Sequence, residues 1–119
     1  MSKPDVIKIN EVEYVRKGAE KAEKLDGMEY VIIRTYSAGV HAGYISWRVG
    51  KEVELIKSRR LWRWYGAMSL SELATEGTMR PKDCKFGCEI TITLTEAIEV
   101  IPCTNKGRKS IQEVQKWEN

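Results

Sequence analysis

A chain of 119 residues with 42% hydrophobic and 31% charged side chains suits one folded domain and is too apolar for a disordered tail. Its net charge of +3 is too small for the strong basic face that duplex nucleic acid requires, yet it permits a local cation cluster for a small anion. Three cysteines (Cys84, Cys88, Cys103) make an odd count, and residues 1–10 carry Lys3, Asp5 and Lys8 with no apolar run. With no stretch long enough to span a membrane, the expected setting is a reducing cytoplasm with free thiols.

Ile7 and Ile9, then Val12 and Tyr14, alternate with polar residues across Asn10-Glu11, which predicts a short hairpin over Val6 to Arg16. Lys17 to Leu25 is rich in helix formers, with Ala22 and Leu25 three apart, so a short exposed helix is expected, stopped by Asp26-Gly27. Glu29 to Ser37 is almost wholly β-branched or aromatic, and apolar residues on both faces at Val31 to Ile33 make it a central strand. After a turn at Ser37-Ala38-Gly39, a second strand lies within Val40 to Val49, where Gly43 points to a bulge or a close backbone approach. Gly50 turns the chain into Glu52 to Tyr65. There the apolar spacing of Val53, Leu55 and Leu61 is broken by Lys57 and Arg59, so a bend is expected near Lys57-Ser58.

Ser69 as N-cap, with Glu72 three residues on, marks a short helix that Gly77 ends. A loop over Thr78 to Lys85 leads to strands at Phe86 to Thr93 and Thr95 to Pro102. Thr104 to Trp117 reads as a partly helical C-terminal segment. The expected fold is α+β, a mostly antiparallel sheet with short helices in a single compact domain. Residues 1–28 form its variable part and 29–119 its β-rich body.

The densest chemistry is Arg59-Arg60-Leu61-Trp62-Arg63-Trp64-Tyr65-Gly66, three arginines and three large rings in eight residues. Rings stack on bases and guanidinium forks bind phosphate in pairs, which is what a nucleotide-binding surface needs. A strand with core rings and solvated arginines has the same composition. Other segments add ligands of the same kind. Arg34 and Tyr36 share a face of the central strand, Phe86 follows Lys85, and Thr104, Asn105 and Arg108 sit in one loop. Trp47 is expected to be packing. His41, the single histidine, has no positioned nucleophile, and is either an ordinary turn residue or a hydrogen-bonding site residue. Cys84 and Cys88 are spaced C-x3-C with no second pair at zinc spacing, and no phosphate-binding glycine loop is present. Neither an enzyme, a metal site nor a cofactor is expected.

Glu29 to Tyr44, Arg59 to Ala67, Leu70-Ser-Glu-Leu73, Glu76-Gly77, Lys85-Phe86 and Thr95 to Glu99 together resemble a family of small phage and prophage proteins. In size and mixed architecture the chain also resembles the first class of Thoeris anti-defence proteins. The resemblance implies a sponge that binds cyclic ADP-ribose isomers, and for some members cyclic oligonucleotides, and withholds them uncleaved. It implies a homo-oligomer, a dimer or larger, with pockets between protomers. Arg60, Phe86 and Arg108 best match a ring-plus-arginine pocket. The ligand-binding candidates are thus Arg34, Tyr36, His41, Arg59, Arg60, Trp62, Phe86, Thr104, Asn105 and Arg108. The alternatives are an accessory protein that binds nucleic acid or a host protein through Arg59, Arg60 and Arg63, or a structural part with no small ligand.

Overall fold

The computed structural model describes residues 6–9 and 12–15 as backbone and residues 20–117 in full. Strands β1 (Val6–Ile9) and β2 (Val12–Val15) pair antiparallel, with Ile9 opposite Val12, so the hairpin forms in the expected register. Its Asn10-Glu11 turn lies outside the described residues.

The helix expected over Lys17 to Leu25 is not seen in its described part, 20–25, while Lys17 to Ala19 lie outside the described residues. Tertiary pairing takes this backbone instead. The Ala22 amide donates to the Cys103 carbonyl at 2.9 Å, and the Asn105 side-chain oxygen accepts from the Glu23 amide at 2.9 Å. Leu25 and Met28 exchange backbone hydrogen bonds around Asp26 and Gly27, both at positive φ. Helix propensity is worth only a few tenths of a kcal/mol per residue, roughly, so a few such bonds and the burial of Ala22 outweigh it.

The main body is an antiparallel sheet in the order β6-β5-β4-β3-β8, with β7 also on β5. Its strands are β3 (Tyr30–Thr35), β4 (Val40–Val49), β5 (Glu52–Arg63), β6 (Lys85–Phe86), β7 (Ile90–Leu94) and β8 (Ala97–Pro102). β3 lies inside the sheet between β4 and β8, as its two apolar faces require. The run 90–102 pairs first with β5 and then, after Thr95-Glu96, with β3. One piece of chain therefore joins the two sides of the sheet and curls it. The curl encloses a core of Val31, Ile33, Val53, Leu55 and Leu94, to which no helix contributes.

The opposite face carries the helices α1 (Leu70–Glu76) and α2 (Asn105–Glu113). Tyr30, Ile32, Tyr44, Leu61 and Phe86 of the sheet pack there against Leu73, Ala74 and Ile111. Each such burial contributes about 1.5–3 kcal/mol. Ser69 caps α1 by accepting from the Glu72 amide at 3.1 Å, as the capping pattern predicts, while the Glu72 carboxylate accepts from the amide of Met68, one residue before the N-cap. Thr104 caps α2 by accepting from the Gly107 amide at 3.0 Å. The two helices touch backbone to backbone at Gly107, where a Cβ would lie 1.8 Å from the Ala74 carbonyl oxygen.

The bend in β5 falls where the spacing put it. Lys57 is at φ +49, and the β4–β5 register slips there, with Tyr44 opposite Ile56 but Ala42 opposite Arg59. Lys57 and Ser58 thus face the single residue Gly43. A Cβ on Gly43 would come within 2.8 Å of the Ser58 Cα, which is the close approach its glycine makes room for. The bulge resets the alternation of β5 and decides what each arginine beyond it faces.

Candidate functional site

Beyond the bulge, Arg59 turns inward. It is 4% exposed and, among the described residues, forms no salt bridge, though the Glu89 carboxylate acts on it electrostatically. Its Nε donates to the Gly87 carbonyl at 2.7 Å, and its Nη1 donates to the carbonyls of Ile111 and Val114 at 2.8 and 2.6 Å. These are end carbonyls of α2, so the cation also meets the negative pole of the helix. Its guanidinium lies 5.6 Å from the centroid of the fully buried Phe86 ring. Burial lowers the Arg59 pKa from its ordinary range. Arg59 and Phe86 thus form a structural tie between β5, β6 and α2, with no ring face turned to solvent.

The remaining sequence candidates, Trp62 apart, fall in three other places. His41 and Arg60 are cross-strand partners, and both meet the Ala38 carbonyl, through Nε2 at 2.9 Å and Nη1 at 3.0 Å. His41 is fully buried, its Nδ1 has no partner, and burial lowers its pKa. Arg34 pairs with Glu99 at 2.8 Å, and Tyr36 stands exposed beside it in sequence. Thr104, Asn105 and Arg108 hold the start of α2. Arg108 bonds Asn105 and Gln112, and Gln112 donates to the Tyr44 hydroxyl at 3.2 Å. Trp62 alone of the ten sits near an open, basic concavity.

That concavity is built at the far end of β5. Arg63 is the cross-strand partner of Lys85, which sets two cations side by side. Tyr65 follows, and Gly66 at φ +82 lets the 78–80 segment lie against the end of the strand. A Cβ on Gly66 would come within 2.6 Å of the Met79 and Arg80 amides. The Thr78 hydroxyl donates to the Tyr65 carbonyl and accepts from the Arg80 amide at 2.9 Å. A single 3-10 turn at Pro81–Asp83 then brings Lys82 and Asp83 to the rim. Buried Cys84 forms the floor, where its sulfur accepts from the Tyr65 amide at 3.5 Å. Trp117 makes the last wall. Its amide donates to the Phe86 carbonyl at 2.9 Å, and Lys116 bridges Phe86 in parallel, so the C-terminal segment adds to the edge of β6.

The result is a cavity of about 460 Å³ lined by Arg63, Arg80, Lys82 and Lys85 against, among the described residues, the one carboxylate of Asp83. Cations lie over both of its rings. Arg80 and Arg63 stand 5.1 and 6.0 Å from the Tyr65 centroid, and the Lys85 ammonium is 4.8 Å from that of Trp117. Trp62 supports Trp117 edge-on, with centroids 5.7 Å apart. Arg80 pairs with Asp83 at 2.8 Å, but both side chains are about half exposed. Such a pair is worth roughly 0–1 kcal/mol, so a phosphate can take the place of Asp83 at small cost.

Residues 28–111 match the family described as a domain of unknown function (DUF6948). The chain belongs to the DUF6948 family. No curated protein and no solved structure matches it. The DUF6948 segment runs from Met28 through the sheet and α1 to Ile111 near the end of α2. It contains every cavity residue named above except Trp117. Among the described residues of this DUF6948 protein, no group of three or more His, Cys, Asp or Glu is placed to hold a metal ion, and no helix is long and apolar enough to cross a membrane.

Of the ten ligand-binding candidates from the sequence, only Trp62 comes near this cavity. Arg63 enters the sequence reading as a contact of the nucleic-acid alternative, while Tyr65 and Lys85 stand there only beside other candidates. Arg80 and Lys82 flank Pro81, which signalled only a loop. Trp117 gave no signal, because its wall position arises from pairing with a strand thirty residues earlier.

Proposed function

We propose that this DUF6948 protein binds an anionic nucleotide in the cavity between Arg63, Arg80, Lys85 and Trp117, and holds it without converting it. The observation that carries the reading is the pairing of rings with cations around one concavity. Phosphates take the guanidinium forks of Arg63 and Arg80, and a base has the indole of Trp117 to lie against. Cyclic ADP-ribose isomers and cyclic oligonucleotides are the ligands implied by the anti-defence resemblance. Holding them back from an immune effector in a bacterial host is the role proposed. Self-association that closes the open side of the cavity belongs to the same proposal.

The test is a thermal-shift panel of cyclic ADP-ribose isomers, cyclic trinucleotides and linear nucleotides. It is followed by heat denaturation and recovery of the bound molecule. A ligand at a hundred times its Kd raises stability by about 2.7 kcal/mol. Arg63→Ala with Arg80→Ala abolishes the shift, and Arg60→Ala, on the other side of the sheet, leaves it. A panel with no shift, or recovery of a cleaved product, refutes the proposal. The exposure of Trp62 (55%) beside these cations favours a second reading, single-stranded nucleic acid stacked on the rings. That reading requires affinity that falls steeply with salt, and a flat salt response removes it.

A further inference from the structure

A second cavity, of about 450 Å³, adjoins the first. It shares Lys82, Cys84 and Trp117 with the first and is otherwise lined by Pro81, Glu113, Gln115 and Lys116. The two are therefore halves of one groove, with Trp117 in the wall of both. Their chemistry differs. The first has four cations and one carboxylate. The second has no arginine among its described lining residues; beside Lys82 and Lys116 it adds a carboxylate acceptor, Glu113, an amide, Gln115, and the apolar Pro81 and Trp117. Lys85, which stands over Trp117, lines the first half only. Glu113 is exposed and makes no ion pair among the described residues, so its oxygens are available to a donor. Each half has the size of a small-molecule site.

We infer that the groove is one bipartite site, in which phosphates sit among Arg63, Arg80 and Lys85 while a nucleobase bearing an N–H edge reaches along Trp117 into the second cavity and donates to Glu113. This rests on the nucleotide reading above and deepens it. It assigns the two ends of the ligand and makes Glu113 the residue that selects the base. A carboxylate accepts only, so it rewards a base with an amino group facing it and leaves a base without one unpaired.

The experiment is calorimetric titration at fixed ionic strength with pyrophosphate, ADP and the diphosphate of purine riboside, which differs from ADP only in lacking the 6-amino group. Wild type binds ADP about tenfold more tightly than the purine riboside diphosphate, the scale of one charged hydrogen bond at a partly open site. Glu113→Gln, which keeps an acceptor but loses the charge, reduces that ratio to about threefold and does not weaken pyrophosphate. Because Glu113 is exposed, a matching melting temperature shows that the variant is folded. Equal binding of the two nucleotides by wild type, with pyrophosphate still bound, overturns the bipartite site and leaves the anion site standing. A Glu113→Gln variant that weakens pyrophosphate as much as ADP overturns it as well. Failure of pyrophosphate and both nucleotides to bind refutes the nucleotide reading and this inference together.

Discussion

Arg59→Ala strips three charge-assisted hydrogen bonds from buried carbonyls of Gly87, Ile111 and Val114 and leaves a void against Phe86. At about 1.5 kcal/mol each, the bonds amount to roughly 4–5 kcal/mol. Some of this is returned, because the variant no longer keeps a guanidinium out of water. A net loss of about 3 kcal/mol is expected. With an unfolding entropy of about 2.1 cal/mol/K per residue, a chain of this length loses about 12 °C in melting temperature. Differential scanning calorimetry measures it, and amide exchange should rise first at the end of α2, which the guanidinium holds to the sheet. Arg59→Lys keeps the charge but not the fork, and should fall between the two. A melting temperature of Arg59→Ala within about 3 °C of wild type refutes the structural role given to this residue.

Two further predictions concern pH. Burial holds the His41 pKa below its ordinary 6.5, so the unfolded chain binds a proton at mildly acid pH that the folded chain refuses. Stability is therefore complete above pH 6.5 and falls as pH drops below it. Urea midpoints between pH 7 and 5 should decline less in His41→Gln than in wild type, and parallel declines refute the assignment. Burial also pushes the Cys103 thiol up from 9.0 to about 12. Here the unfolded chain loses its proton first, so stability is complete below pH 9 and falls from there to about pH 12. In Cys103→Ala the decline should begin nearer pH 10, where the unfolded-state phenol of Tyr30, also raised by burial, starts to ionise. An unchanged alkaline onset in that variant sinks the argument.

Much of the fold was legible because its strands obey local rules. β3 announces itself by β-branched residues on both faces, α1 by its capping pair, and the β5 bulge by the interruption at Lys57 and Arg59. The segment 20–25 was not legible, since its conformation is set by Cys103 and Asn105, some eighty residues away. The site was half legible. Arginines and rings in 59–66 mark the place of the candidate cavity, but the bulge before them decides which side of the sheet each one takes. The partners that make Arg59 structural are backbone carbonyls, which no sequence displays. Phe86 looked like a stacking ring because it follows Lys85. In the fold the neighbouring lysine reaches the cavity while the phenylalanine fills the core.

The run 90–102, which borders β5 with its first half and β3 with its second, also sets how the chain can assemble. The β3–β4–β5 meander needs only short turns, whereas Glu99 reaches Arg34 across 65 positions of sequence. Closing so long a loop is paid in chain entropy before any contact returns it. The last strand therefore acts as a latch: until it seats, the interior of Val31, Val53 and Leu94 stays wet, and once it does, both flanks of the meander are secured in a single step. Thr95 and Glu96 are the hinge pin of that latch, which makes two exposed, chemically ordinary residues the point on which the cooperativity of the whole domain turns.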